Sequence, residues 1–179
     1  NKIFTSAFLK RHVGLGVMGS GGIYMLEPTA TSFNVTQFYN MDTNGHRTRA
    51  DGTAPAYGSG TSYTIAADNA TITYEGAPDP LTGKPVGLGV IGTNSERNLN
   101  VDPLIPTYDP AAFDQVGKVG LGDIDLSDDG KYLFVMNLYS RKVFRLELNS
   151  ADNPTSVVGV TSYNVPATTC SAGEYRPFG

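Results

Sequence analysis

Residues 122–148, GDIDLSDDGKYLFVMNLYSRKVFRLEL, constrain this chain more than any other stretch. Over 122–127, Ile124 and Leu126 alternate with Asp123 and Asp125, the period of two that a strand requires. Ser127-Asp128-Asp129-Gly130 has the residue types of a tight turn. The run 131–138 (KYLFVMNL) is almost continuously apolar, as in a strand covered on both faces. Residues 139–142 then read as a turn, 143–148 as a third strand, 149–154 as a loop of turn formers and 157–165 as a fourth strand.

The pattern recurs near the N-terminus. Ile3-Phe4 matches Leu133-Phe134 at an offset of 130, and Arg11 matches Arg141 at the same offset. Residues 23–27 (IYMLE) match 143–147 (VFRLE) at an offset of 120, and 35–38 (VTQF) match 160–163 (VTSY) at 125. Three strands therefore recur in order. The first copy carries ten extra residues, largely the glycine-rich GLGVMGSGG at 14–22, which read as a lengthened hairpin tip. It lacks a counterpart of the DIDLSDDG strand and turn. Tyr175-Arg176-Pro177-Phe178-Gly179 reads as the entrance to a third copy. Consecutive four-stranded antiparallel units are the blades of a β-propeller. The expectation is an all-β chain holding about two blades of a larger propeller: a partial blade over 1–39, a full blade over 117–166 and the start of another over 167–179. The remaining blades of the same protein are the expected partners of these.

Between the copies lies a loop-rich insertion, 40–116, too long for an ordinary connection between units. One hairpin is predicted in it, 62–65 with 70–74 across an Asp68-Asn69 turn. Asp109-Pro110 opens a segment (DPAAFDQ) that suits one helical turn. The rest is rich in Pro, Gly, Asn and Asp. Long insertions on a rigid scaffold carry binding function or simply pack over the rim; in the first case a protein or glycan is the expected ligand.

Charge excludes some classes of function. Net charge is −4, and the only basic cluster is Lys10-Arg11-His12, so a nucleic-acid partner is not expected. No apolar run approaches the length of a membrane span. The N-terminal residues have no signal-peptide pattern, which implies a mature, processed or internal start.

Several motifs carry two readings. Gly14-x-Gly16-x-x-Gly19 and Gly87-x-Gly89-x-x-Gly92 fit the dinucleotide-binding spacing. That chemistry needs a preceding strand and a following amphipathic helix, and SGGIY and TNSER follow instead. VGLG, at 13–16, 86–89 and 119–122, reads as a recurrent strand entrance needing close backbone approach. Residues 40–51 (NMDTNGHRTRAD) fit a twelve-residue calcium loop, with oxygen ligands Asn40, Asp42, Asn44, Thr48 and Asp51 and a sharp turn at Gly45. Asn at position 1, Asp rather than Glu at position 12 and the nearby Arg47 and Arg49 weaken the fit, and the alternative is an Asx-rich turn leaving a strand. Asp123 and Asp125 share a strand face, as an acid/base pair or as the lining of a water-filled channel. His12 and His46 lack metal-ligand spacing and read as solvent-facing. No GxSxG, HExxH or CxxC occurs, so no catalytic residue or cofactor-binding residue is assigned. Asn34-Val-Thr36 and Asn69-Ala-Thr71 fit the N-glycosylation pattern. Cys170 is a buried thiol or half of a disulfide.

The stretch GLGDIDLSDDGKYLFVMNLYSRKVFRLEL resembles the strand–turn–strand of YVTN-type seven-bladed propellers. The chain as a whole, including Lys10-Arg11-His12-Val13-Gly14 and 21–24, resembles large secreted propeller proteins of Gram-negative gliding bacteria, which carry SdrD B-type repeats and a type IX secretion tail. The resemblance implies an extracellular or cell-surface location. It also implies a disulfide from Cys170 to a cysteine outside this chain. It transfers no activity. Two functions stand on these readings: a non-catalytic binding or scaffold segment with an adhesive or surface-assembly role, and a channel-centred lyase, lactonase or other hydrolase using bound calcium.

Overall fold

The computed structural model describes residues 2–10, 13–49, 61–65, 70–74, 116–117 and 119–165. Among these the chain is all-β. Helical geometry is confined to two 3-10 turns, Gly19–Gly21 and Asp42–Asn44. The first sheet contains β1 (Ile3–Ser6), β2 (Gly22–Pro28) and β3 (Phe33–Asn40). The insertion contributes a separate hairpin, β4 (Thr61–Ile65) and β5 (Ala70–Tyr74), where the sequence predicts it; its turn lies outside the described residues. The second sheet contains β6 (Leu121–Leu126), β7 (Tyr132–Asn137), β8 (Lys142–Leu148) and β9 (Val157–Asn164). Both large sheets are antiparallel meanders in chain order, and neither is closed on itself.

The turn between β6 and β7 shows why SDDG folds as it does. Gly130 N donates to Ser127 O at 2.8 Å, and Ser127 Oγ bonds Asp129 Oδ1 at 2.7 Å. Tyr132 N closes on Ser127 Oγ at 2.9 Å. The bond from Ser127 and the amide of Lys131 hold the Asp129 carboxyl below its ordinary value.

The offsets found in the sequence are reproduced by strand pairing. Leu133 pairs with Leu146, and Ile3, 130 earlier, pairs with Leu26, 120 earlier. Leu146 pairs with Val160, and Leu26 pairs with Val35. The copies diverge at a β-bulge between Ile23 and Tyr24. The bulge sets two successive aromatics, Phe38 and Tyr39, against the core. Burial raises the pKa of the Tyr39 hydroxyl.

Cross-strand partners share a sheet face, so each sheet has two definable faces. The front face is defined by Leu133, Val135, Phe144 and Leu146 in the four-stranded sheet, and by Ile3, Thr5, Tyr24 and Leu26 at the equivalent positions of the three-stranded sheet. The back face is defined by Phe134, Val143 and Arg145, and by Phe4, Ile23 and Met25. One core joins the sheets: Ile23 and Met41 with Leu121, Leu133, Val135, Phe144, Leu146 and Leu148, flanked by Phe4, Phe38 and Tyr39. The back of the first sheet therefore packs on the front of the second. Strands β1 and β6 also meet: Leu121 N donates to Ala7 O at 3.2 Å, and Ser6 Oγ donates to Gly122 O at 3.0 Å.

The structure corrects two details of the sequence reading. First, β7 is fully buried on its front face only; Tyr132 and Phe134, on its back, are half-buried. Second, VGLG enters a strand at 119–122 but not at 13–16, where it lies on the connection folded against Tyr24. At Gly120 the backbone conformation, φ of +83°, calls for glycine rather than close approach, since a Cβ there would stand 3.5 Å from Ala7 O, an ordinary contact. The turn read after β7 is present, and Tyr139 and Ser140 within it are buried.

Candidate functional site

Two places in the molecule gather polar chemistry. The first follows β3. Met41 inserts into the core, and its amide donates to Gly21 O at 2.9 Å. Asp42–Asn44 then makes one 3-10 turn that ends at Gly45, whose φ of +83° supplies the sharp turn expected there. His46 N returns to Met41 O at 2.9 Å. The chain comes back far enough for Thr48, fully buried, to reach Asp42: its amide lies 2.7 Å from Asp42 Oδ1 and its hydroxyl 3.0 Å from the same oxygen. Ser20, also fully buried and from the loop before β2, donates to Asp42 Oδ2 at 3.3 Å and lies 2.9 Å from the Thr48 hydroxyl. The carboxylate thus fastens two loops to each other.

Asn40 and Asn44 serve the turn itself. Asn40 Oδ1 accepts from the amides of Asp42, 3.0 Å, and Thr43, 3.4 Å, while Asn40 Nδ2 donates to Met18 O at 2.9 Å. Asn44 Nδ2 donates to Asn40 O at 2.7 Å. Of the five oxygen ligands read from the sequence, Asp42 and Thr48 meet each other, Asn40 and Asn44 form an Asx turn, and Asp51 lies outside the described residues. Cys170 also lies outside them, as do Arg11, His12, Asn69 and the segment 109–115. Asn34 is exposed on β3. Among the described residues, no three His, Cys, Asp or Glu side chains gather as a metal-binding group.

His46 departs from its solvent-facing expectation. Its ring centroid lies 4.9 Å from that of Phe144, half-buried over the core. Just beyond it, Asn137, fully buried, donates from Nδ2 to Arg47 O at 2.9 Å. Asn137 Oδ1 accepts from the amides of Tyr139 and Ser140, both at 3.1 Å. Sequence reasoning passed over Asn137. The available signal was a lone amide in an otherwise apolar strand, which has to find partners once buried.

Because its own donors already surround the Asp42 carboxylate, removal of calcium is expected to leave the thermal midpoint of this chain unchanged. Calorimetric scans in EDTA and in millimolar calcium check this. A midpoint that falls with chelator would support the calcium loop.

The second place is the back of the four-stranded sheet. Asp123, Asp125, Phe134, Met136 and Val143 line an open hollow of about 250 Å³. Asp123 Oδ1 and Asp125 Oδ1 each accept the amide of the following residue at 2.9 Å, so both carboxylates lie along their own strand. Among the described residues that line it, Asp123 and Asp125 are the titratable groups, so any acid–base work there would fall to the two carboxylates alone. No helix among the described residues is long and apolar enough to cross a membrane. No family model, curated protein or solved structure matches this chain.

Proposed function

We propose that this chain is a non-catalytic binding or scaffold segment of a β-propeller-type repeat protein, secreted or displayed at the cell surface. The observation that carries the reading is the back-to-front packing of two sheets with equivalent registers. A closed sandwich of two equivalent sheets would bury the same face of each. Here opposite faces meet, as in an array in which every unit repeats one interface with the next. The resemblance of 120–148 to propeller blades supports the same reading.

The insertion leaves and rejoins the sheets at one point, where Gly120 N donates to Thr48 O at 2.7 Å. That geometry suits a ligand-facing excursion on a fixed base, with a protein or glycan as the ligand.

Two measurements test the two halves of the proposal. A second copy of 117–165 appended in tandem is expected to raise the thermal midpoint, because an added unit adds an interface. An unchanged midpoint would remove the array reading. A glycan array probed with the whole chain and with a variant in which 51–115 is replaced by a short Gly/Ser linker tests the binding role. Binding that survives the excision would move the ligand site off the insertion.

A further inference from the structure

The two sheets each use one face in the core and leave the other turned outward. The outward face of the three-stranded sheet is its front, where Ile3 is 49% exposed, Phe33 48% and Val35 63%. The outward face of the four-stranded sheet is its back, with the hollow beside Phe134 and Val143 and with Tyr163 47% exposed. These are the same two kinds of face that meet inside the molecule. Phe134 and Val143 stand where Phe4 and Ile23 stand on the packed back of the first sheet. Ile3 and Leu26 stand where Leu133 and Leu146 stand on the packed front of the second.

We infer that a second copy of this chain docks on the back of the four-stranded sheet through the front of its own three-stranded sheet, repeating head to tail the interface already present within one chain. Continuity with that interface identifies the occupant. Ile23 shares one core with Val135 and Phe144; its equivalent Val143 would share the new one with the strand positions of Thr5 and Tyr24 in the next copy, the equivalents of Val135 and Phe144. Three charged side chains on the back of the four-stranded sheet, Asp123, Asp125 and Arg145, have no charged counterpart on the packed back of the first sheet; Asp123 and Asp125 stand on the edge strand β6, which the first sheet lacks, each with Oδ1 held by the following amide. Arg145 stands where Met25 does, but its guanidinium lies 4.8 Å from the centre of the Tyr132 ring and Nη2 bonds Thr161 Oγ1 at 3.4 Å, so its stem lies along the face. An interface of this kind is heterologous, and such interfaces build rings or open chains rather than closed two-fold dimers.

The inference rests on the array reading, and mixing separates the two. Val35→Glu spoils the front face and Tyr163→Glu the back; both positions are exposed, so each variant is expected to keep the wild-type circular dichroism spectrum and thermal midpoint. In sedimentation velocity, the wild-type chain is expected to exceed the mass of a dimer as concentration rises through the micromolar range. Each variant alone is expected to remain monomeric. An equal mixture is expected to form a one-to-one dimer that grows no further, because each partner supplies one intact face. A wild-type chain that stays monomeric, variants that associate as the wild type does, or a mixture that stays monomeric would each overturn the inference. A tandem unit that raises the midpoint while the wild-type chain stays monomeric would leave the array reading standing alone.

Discussion

Replacing Phe144 with alanine is expected to lower the unfolding free energy by about 4 kcal/mol, the largest effect of any single substitution considered. Phe144 is almost completely buried at the centre of the core that joins the sheets, with Ile23 and Met41 from the first and Leu133, Val135 and Leu146 from the second. Removing its ring leaves a void bounded by β-strands on both sides, and hydrogen-bonded sheets collapse poorly into such a void. The His46 ring at 4.9 Å would lose its partner as well. A domain of this size holds roughly 5–15 kcal/mol in total, so the variant should sit near the edge of folding. Urea denaturation followed by circular dichroism gives the number. A loss below about 1 kcal/mol would mean that the sheets do not share the core described.

The second large effect is expected at Asp42. Asp42→Ala removes the acceptor for the Thr48 amide and for two fully buried hydroxyls, those of Ser20 and Thr48. A charged acceptor contributes about 1.5–3 kcal/mol per hydrogen bond, and donors left buried add their own desolvation cost, so about 3 kcal/mol is expected. Asp42→Asn keeps one acceptor oxygen but turns an amide toward groups that were donating, and should fall between. The same denaturation experiment, run in EDTA and in calcium, tells the clamp from a metal site. Equal losses in both conditions mark Asp42 as a clamp. A loss that appears only in calcium marks it as a ligand.

The legibility of this chain was uneven, and the reasons are physical. Strand positions were readable because each copy is a local meander whose strands follow from alternation and turn residues. The offsets of 130 and 120 between the copies are matched by the pairing of Ile3 with Leu26 and of Leu133 with Leu146. The bulge at Ile23 and Tyr24 was not readable, since an extra residue in an edge strand leaves the hydrophobic pattern of 33–40 nearly unchanged. At 40–48 the sequence shows a cluster of oxygens and a glycine turn, and both are present. What it does not show is the donor that meets them. Ser20 lies 22 residues from Asp42, in the glycine-rich connection before β2, whose pattern points to a hairpin tip and not to Asp42. Asn137 was missed for the same reason: its partner, Arg47 O, lies 90 residues away. The direction of stacking was also out of reach, because both faces of a strand such as 143–148 carry apolar residues.

The hydrogen bond between Gly120 and Thr48 has a consequence for how this protein can vary. The two sheets are held by their own core and by this closure, so the chain between 49 and 119 has both its ends fixed at one point, as the ends of a loop are. The entropy of closing such a loop grows only with the logarithm of its length, about 0.6 kcal/mol for each doubling. Phe144 and Asp42 each govern several times that amount. Length and composition between those ends can therefore drift widely under selection for a ligand, while the few residues that fasten the sheets cannot.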